Sequence, residues 1–298
     1  MSTTQLATAA TIVAEIALAL YPILIKSVNV SLPIQLLARL GTFSGLGLAL
    51  SDKSDRKLSW GGTSQAGQSI LFGLMNLIHI SASYTSYNHL PAGSALALFY
   101  TYPFFNILAG VLFLGDSFNS AHLPLLVMAF AGVLLIAKYT KDGDEGTEKN
   151  TDDEKQQSKR SIGFGITAAL ISACTESLIY LVAKTDETQS PILSIMKLYP
   201  AAFTALIGWI TVTKTPITAS AGNWSTLLIF NVLIGFLGYG IRFWSIPRLP
   251  TAVFSILTFI GVAAGYVWGL LYAEEVPSMG ALAGAGLITG AVTLLGKN

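Results

Sequence analysis

Apolar residues gather along the chain in ten long runs that are separated by short polar breaks. Each run has about the 20 residues that a helix needs to cross the roughly 30 Å hydrocarbon core of a bilayer. The runs lack the period-2 alternation of barrel strands, and only helices or closed barrels satisfy every backbone group in lipid. The pattern therefore predicts an all-α membrane protein with ten transmembrane helices. The runs cover residues 7–28, 32–50, 66–87, 92–114, 122–138, 161–183, 190–213, 223–244, 249–271 and 277–296.

Composition supports a membrane protein and excludes an ordinary water-soluble domain. Hydrophobic residues make up 52% of the chain and charged residues 11%, whereas a soluble domain carries roughly 25% charged residues. Of the 33 charged residues, five lie in 52–57 and thirteen in 138–160, as expected where charges are confined to loops. The net charge of +1 gives no basic stripe for a nucleic-acid partner. We expect an integral, multi-pass protein whose partners are the lipid bilayer and a small-molecule substrate, present as a monomer or homodimer.

A charged segment at residues 140–160 interrupts the apolar pattern. It is rich in Asp, Glu, Lys and Gln and has no apolar periodicity, so it predicts a solvated linker. The linker separates a first unit, residues 1–139, from a second unit, residues 161–298, and each unit contains five runs.

The two units resemble each other in sequence. A proline stands six residues before Arg39 in the first unit and six residues before Lys197 in the second. A second match, without gaps, aligns residues 90–116 with residues 249–275 at nearly the same offset, and both stretches end on an acidic residue. Five is an odd number, so the second unit must cross the membrane in the opposite direction. This pattern predicts two inverted five-helix repeats, a construction common in secondary transporters, with the substrate site near mid-membrane between the repeats.

The fourth run carries a recognisable sequence. Residues 95–103 read ALALFYTYP and residues 113–116 read FLGD. This stretch resembles the fourth-helix signature of EamA-type members of the drug/metabolite transporter superfamily, and so does the glycine-rich last run. The ninth run, the counterpart of the fourth in the second unit, departs from the signature. At the position that matches Pro103 in the alignment of the two units it has Val262. The resemblance implies transport of a small organic solute, with substrates across the superfamily that range from amino acids and sugars to nucleotide-sugars, phosphorylated metabolites and lipophilic cations.

Two glutamates fall inside apolar runs. An ionisable residue in a transmembrane helix is costly and is a functional candidate by default. Glu15 lies roughly 12 Å into the first helix, and Ala14-Glu15 resembles the membrane-embedded glutamate of the small multidrug resistance branch. Glu176 is its counterpart in the second unit. Either residue could be a proton or cation site, and the alternative is a permanent structural ion pair.

Three cations and one histidine also fall inside the runs. Arg39 and Lys197 occupy matched positions, which favours a cavity-lining role over snorkelling of long side chains to the interface. Arg242 is a further candidate for substrate binding or coupling, although it lies near the end of the eighth run, where an interfacial anchor is the simpler interpretation. His79 shares a helix face with polar residues and suits either packing or a site. The aromatic residues, Tyr100 among them, suit an interfacial belt or a pocket.

The chain contains no nucleotide-binding loop, no dinucleotide fingerprint and no metal-ligand spacing among its three histidines and one cysteine. We therefore predict a secondary transporter without cofactor or metal, and not an enzyme. Two deep glutamates against two deep cations favour an amino acid or a similar polar metabolite. The alternatives within transporters are a nucleotide-sugar or sugar-phosphate exchanger and a lipophilic-cation or drug exporter. A channel or a structural membrane protein is the alternative from another class.

The runs also predict where a substrate cavity lies. Helices one to four and six to nine are expected to line it. Helices five and ten, which are rich in Ala, Gly and Leu and carry no deep charge, are expected to be peripheral. The resemblance to EamA-type transporters implies that both termini are cytoplasmic.

Overall fold

A computed structural model describes residues 2–28, 30–60, 63–90, 92–116, 120–141, 152–186, 188–274, 276 and 278–295. These residues form helices and connecting turns, and no strand occurs among them. The helices are α1 (Thr3–Leu18), α2 (Tyr21–Ser27), α3 (Leu32–Leu50), α4 (Lys53–Trp60), α5 (Thr63–His89), α6 (Ala92–Phe99), α7 (Tyr102–Phe113), α8 (Leu123–Lys141), α9 (Asp152–Lys184), α10 (Pro191–Thr213), α11 (Ala221–Phe230), α12 (Leu237–Ser245), α13 (Thr251–Thr258), α14 (Ile260–Tyr272) and α15 (Met279–Leu295).

Each of the ten predicted runs coincides with one helix or with two helices in line. Among the described residues, five helical stretches are long and apolar enough to cross a membrane. A further apolar helical segment, Leu123–Gly132, is shorter. The five stretches are Thr3–Ser27, Ser161–Lys184, Pro191–Thr213, Ala221–Arg248 and Thr251–Tyr272.

Two of the runs are broken by proline. The first run divides into α1 and α2 just before Pro22, and the fourth divides into α6 and α7 just before Pro103. Proline has no backbone N–H, and its ring clashes with the carbonyl four residues earlier, so α1 ends at Leu18 and α6 ends at Phe99. Both breaks lie beside the buried charged residues described below.

The ninth run is also broken, although it has Val262 in place of proline. Between α13 and α14 the amide of Phe259 donates to the carbonyl of Ile256 at 3.3 Å, and the amide of Val262 donates to Phe259 at 3.0 Å. These are bonds of the tighter 3₁₀ type, which bend a helix locally. The bend places Gly261 against the side chain of Tyr100 from the fourth run. The missing proline therefore does not remove the break.

The eighth run contains a π turn, Asn231–Phe236, between α11 and α12. The side-chain amide of Asn231 donates to the carbonyl of Leu227 at 2.8 Å, and its oxygen accepts a hydrogen bond from the Tyr21 hydroxyl at 2.9 Å. Gly235 leaves room for the Tyr21 hydroxyl, because a Cβ there would overlap it. The π turn thus fixes Tyr21 of α2 against the eighth run.

Two polar stretches differ from the sequence expectation. The short helix α4 was not predicted; Asp52 caps it by accepting a hydrogen bond from the Asp55 amide at 2.7 Å. Helix α9 begins at Asp152, inside the predicted linker. The preceding part of that linker, residues 142–151, lies outside the described residues.

The distribution of side chains is opposite to that of a soluble protein. Large apolar side chains such as Leu71, Phe113 and Val212 are exposed on the outside, at 63%, 75% and 83%. Charged side chains such as Glu15 and Glu176 are buried in the interior. Exposed apolar surface on this scale marks a surface that contacts lipid.

Contacts between the two units come in equivalent pairs. Helix α5 of the first unit packs on α9, the first helix of the second unit, while α1 packs on α12. Likewise α7 packs on α9 while α14 packs on α1. Equivalent runs also pack on each other: α3 on α10, α7 on α13 together with α6 on α14, and α8 on α15. Exchanging the units therefore reproduces these contacts.

Candidate functional site

Arg242 joins two buried glutamates from different units. Its Nε lies 2.9 Å from Oε1 of Glu15, and its Nη1 forms an ion pair with Oε1 of Glu176. Its Nη2 donates to the Tyr102 hydroxyl at 3.0 Å. All three charged side chains are almost wholly buried, with at most 3% of each exposed. The interfacial-anchor interpretation of Arg242 is therefore wrong, because the guanidinium faces the interior.

Tyr100 holds the second oxygen of Glu15. Its hydroxyl donates to Oε2 at 2.6 Å, a short bond of the kind that carboxylates accept. Tyr100 lies at the break that Pro103 causes, and Gly261 of the ninth run leaves the space for its ring. The fourth and ninth runs thus fix the glutamate of the first run through one phenol.

We expect Gly261→Ala to destabilise the protein by about 1–3 kcal/mol, the usual cost of overpacking a filled interior. A Cβ at this position would overlap the Tyr100 hydroxyl, so the ring must move away from Glu15. Thermal unfolding in detergent micelles measures the change. Gly208→Ala is the matched control, because nothing lies near its added methyl and alanine favours a helix over glycine. Equal melting temperatures for the two variants would contradict this account of Tyr100.

His79 connects Glu176 to the backbone of α9. The carbonyl of Ser172 lies 3.1 Å from Nδ1, and a carbonyl only accepts, so Nδ1 carries a proton. The other ring nitrogen, Nε2, lies 3.2 Å from Oε2 of Glu176. A single proton between Nε2 of His79 and Oε2 of Glu176 can belong to either atom. The pair is then an imidazolium beside a carboxylate or a neutral imidazole beside a carboxylic acid.

The protonation of these four residues follows from counting charges. Glu15 and Glu176 are two carboxylates, and Arg242 is one guanidinium that does not lose its proton. With His79 neutral, the cluster therefore carries one negative charge. A proton on His79 or on either glutamate, or a bound cation, neutralises it. The geometry can thus exchange one positive charge for another.

Arg39 lies apart from this cluster, in a group of aromatic rings. The centre of its guanidinium is 4.4 Å from the Tyr21 ring centroid, 4.8 Å from that of Tyr239 and 5.5 Å from that of Phe43. Its Nη1 donates to the Tyr84 hydroxyl at 3.4 Å. Aromatic faces attract a guanidinium without neutralising its charge.

A small cavity lies between Arg39 and the cluster. Its volume is about 20 Å³, which is close to what a single water requires. Glu15, Arg39, His79, Tyr100 and Arg242 all contribute to its wall. No organic solute fits in a space of this size.

The wall is built from fewer helices than the sequence predicts. Its described residues come from the first, second, third, fourth and eighth runs. The sixth and seventh runs lie behind these: Glu176 reaches the wall through Arg242 and His79, and Tyr199 stacks on Phe43 at 4.3 Å. Among the described residues, the fifth, ninth and tenth runs contribute nothing to the wall.

Two matched pairs have different outcomes in the structure. Lys197, the partner of Arg39 in the repeat, is half-buried on α10 and is not among the described residues of the cavity wall. Arg242 provides the second deep cation instead. Asp116 accepts a hydrogen bond from the Thr251 hydroxyl at the start of α13. Its partner in the repeat, Glu275, lies outside the described residues.

Sequence reasoning did not single out two aromatic residues of the Arg39 group, Tyr21 and Phe43. Tyr21 stands directly before Pro22. That proline was the sequence signal that could have identified Tyr21, because residues at a helix break can turn toward the interior. Phe43 follows Arg39 by four residues and so shares its helix face.

Comparison with known proteins identifies a related family for the first part of the chain. Residues 5–138 match the EamA-like transporter family. Over this part of its length the chain is similar to EamA-type transporters. The sequence resemblance to the drug/metabolite transporter superfamily is thereby confirmed, and the chain is an integral, multi-pass membrane protein.

The fold has a counterpart among solved structures. A solved structure described as "Crystal structure of protein" superposes with a TM-score of 0.70, and the match covers 97% of this chain and 96% of that chain. The two sequences are 14% identical, so the similarity concerns the fold alone. None of the curated protein sequences matches this chain.

Proposed function

We propose that this protein is a secondary transporter that moves a small polar organic solute, with an amino acid favoured, by alternating access. The observation that carries the proposal is the buried cluster of Glu15, Glu176, Arg242 and His79 beside a closed cavity. Buried ionisable residues that face a cavity mark substrate or ion pathways in membrane proteins. The EamA-type family match supports transport as the general activity.

The architecture that we propose for this activity is ten transmembrane helices in two inverted five-helix repeats. The equivalent contacts that the two units exchange support it. The cluster supports it as well, because Glu15 belongs to the first unit while Glu176 and Arg242 belong to the second. In inverted-repeat transporters the site lies at the interface of the repeats, where rocking of one against the other exposes it to either side.

Coupling follows from the single negative charge of the cluster. A proton and a substrate ammonium group are both able to neutralise it, and each makes the other unnecessary. Occupancy by one therefore favours release of the other, which is the requirement for proton-coupled transport or exchange. A transported ammonium group would contact Glu15 or Glu176 beside Arg242.

The alternative substrates differ from an amino acid in charge. A lipophilic cation would satisfy the cluster but would lie in the same cavity as the buried cation Arg39. A nucleotide-sugar or sugar phosphate would suit Arg39 but would bring further negative charge toward Glu15. A zwitterion has a positive charge that the cluster around Glu15 can bind and a negative charge that Arg39 can bind. A channel is distinguished from a transporter by flux that does not saturate with solute and shows no counterflow.

Transport by purified protein in proteoliposomes tests the proposal. We expect saturable uptake of one or more labelled L-amino acids, accelerated when the vesicles are preloaded with the same unlabelled solute. Excess sugar phosphate and excess tetraphenylphosphonium serve as competitors. Uptake that does not saturate and shows no counterflow would indicate a channel, and inhibition by either competitor alone would favour the corresponding alternative.

A further inference from the structure

Arg39 is a buried cation without a carboxylate partner among the described residues. Its side chain is 3% exposed, and its Nε and Nη2 have no hydrogen-bond partner in the described part of the chain. The bond from Nη1 to the Tyr84 hydroxyl is long at 3.4 Å, and the other polar groups that interact with the guanidinium are the phenols of Tyr199 and Tyr239, which carry no charge to balance it. Buried charges are normally paired, so a guanidinium with two free donor nitrogens indicates a group that the chain itself does not supply.

The surrounding rings hold the guanidinium in place and leave its charge available. Tyr21 lies closest, and the bond from its hydroxyl to Asn231 in the π turn fixes its ring. Phe43 is fixed by stacking on Tyr199. A guanidinium held by aromatic faces keeps its planar fork of donors, which matches the two oxygens of a carboxylate or a phosphate.

The side chain of Arg39 borders the same cavity as the negative cluster. Arg39 and Glu15 both belong to the cavity wall. The ring of Tyr239 lies between the two guanidinium groups, at 4.8 Å from Arg39 and 5.6 Å from Arg242. A positive subsite and a negative subsite therefore face a common space.

We propose that Arg39 is the subsite that binds the carboxylate of the transported solute, an inference that rests on the proposed transport function. A carboxylate carries one negative charge, which one guanidinium balances. A phosphate ester carries up to two, and the second would lie unbalanced near the negative charge around Glu15. The substrate class is thus a small organic monocarboxylate that also carries an ammonium group.

Binding to the purified protein tests this subsite without any need for transport. The probes are the twenty proteinogenic L-amino acids and the matching primary amides, in which the carboxylate is replaced by an uncharged group. We expect at least one acid to raise the melting temperature of the detergent-solubilised protein, and its amide to bind roughly 10- to 100-fold more weakly. Equal binding of acid and amide, or no stabilisation by any acid, would overturn the proposal, as would stabilisation by phosphate esters alone.

Three variants locate the effect at Arg39. Arg39→Gln should weaken binding of the acid to the level of the amide, with little further loss for the amide itself. Arg39→Lys keeps the charge but loses the planar fork, so its affinity should fall between the two. Lys53→Gln removes an exposed cation on α4 and should bind as the unmodified protein does. If Arg39→Gln weakened acid and amide equally, the role of Arg39 would be structural.

The two proposals fail in different ways. Vesicles that show no uptake, together with acid binding that depends on Arg39, would contradict transport and leave the carboxylate subsite standing. Uptake that discriminates poorly between an amino acid and its amide would contradict the subsite and leave transport standing.

Discussion

Arg242→Gln is expected to destabilise the protein by about 3–5 kcal/mol, the cost of removing one partner from a buried ion pair. The change leaves the carboxylates of Glu15 and Glu176 buried without their shared cation. It also removes the bond to the Tyr102 hydroxyl. Thermal unfolding in detergent micelles measures the loss, and uptake into vesicles should be abolished even in protein that remains folded.

A double variant separates charge balance from packing. Adding Glu176→Gln to Arg242→Gln removes one unpaired carboxylate, so part of the lost stability should return, and a double-mutant cycle measures that coupling. Lys214→Gln, at an exposed cation beyond α10, is the control and should leave the melting temperature unchanged. A melting temperature for Arg242→Gln equal to that of the control would show that the ion pairs contribute nothing.

Glu15→Gln is expected to fold and insert but to lose pH-dependent transport. The amide keeps the size of the side chain, and its NH₂ group can donate to the Tyr100 hydroxyl while its oxygen still accepts from Arg242. With Glu15 uncharged, Arg242 and Glu176 balance each other, and the cluster no longer needs a proton. Uptake between about pH 5 and pH 8 should vary in the unmodified protein and stay flat in the variant.

The matched control for this change is Glu274→Gln, the same substitution at an exposed residue after α14. It should keep the pH profile of the unmodified protein. An unchanged profile in Glu15→Gln as well would make Glu15 a structural partner of Arg242. Proton coupling would then rest on Glu176 and His79.

The positions of most helices of this protein can be predicted from its apolar pattern. The predicted run 32–50 coincides with α3, Leu32–Leu50, because polar and turn-forming residues end the apolar pattern on both sides of it. The breaks before Pro22 and Pro103 also follow from sequence, since proline stops a helix by its own geometry. The bend at Phe259 does not, because it depends on a partner, Tyr100, from another run.

The buried charges were visible in the sequence, but their partners were not. Depth along a helix predicts that Glu15 is an intramembrane residue. Its pairing with Arg242 requires α1 and α12 to meet, which the sequence does not show. The repeat suggested Lys197 as the second cation. In the structure Arg242 is the second buried cation, because the described residues of the cavity wall include residues of α12 from the eighth run and none of α10 from the seventh run. The rings around Arg39 likewise come from separate helices.

The π turn at 231–236 has a meaning for the ancestry of the chain. The two units align at an offset of 158 residues at Arg39 and Lys197 and at an offset of 159 residues from Leu90 and Leu249 onward. In the inverted-repeat arrangement that we propose, the second copy is therefore one residue longer between these points, and the π turn lies within that stretch. A helix absorbs such an insertion by widening one turn to i→i+5 hydrogen bonds, and this one did so at the turn whose first residue binds Tyr21.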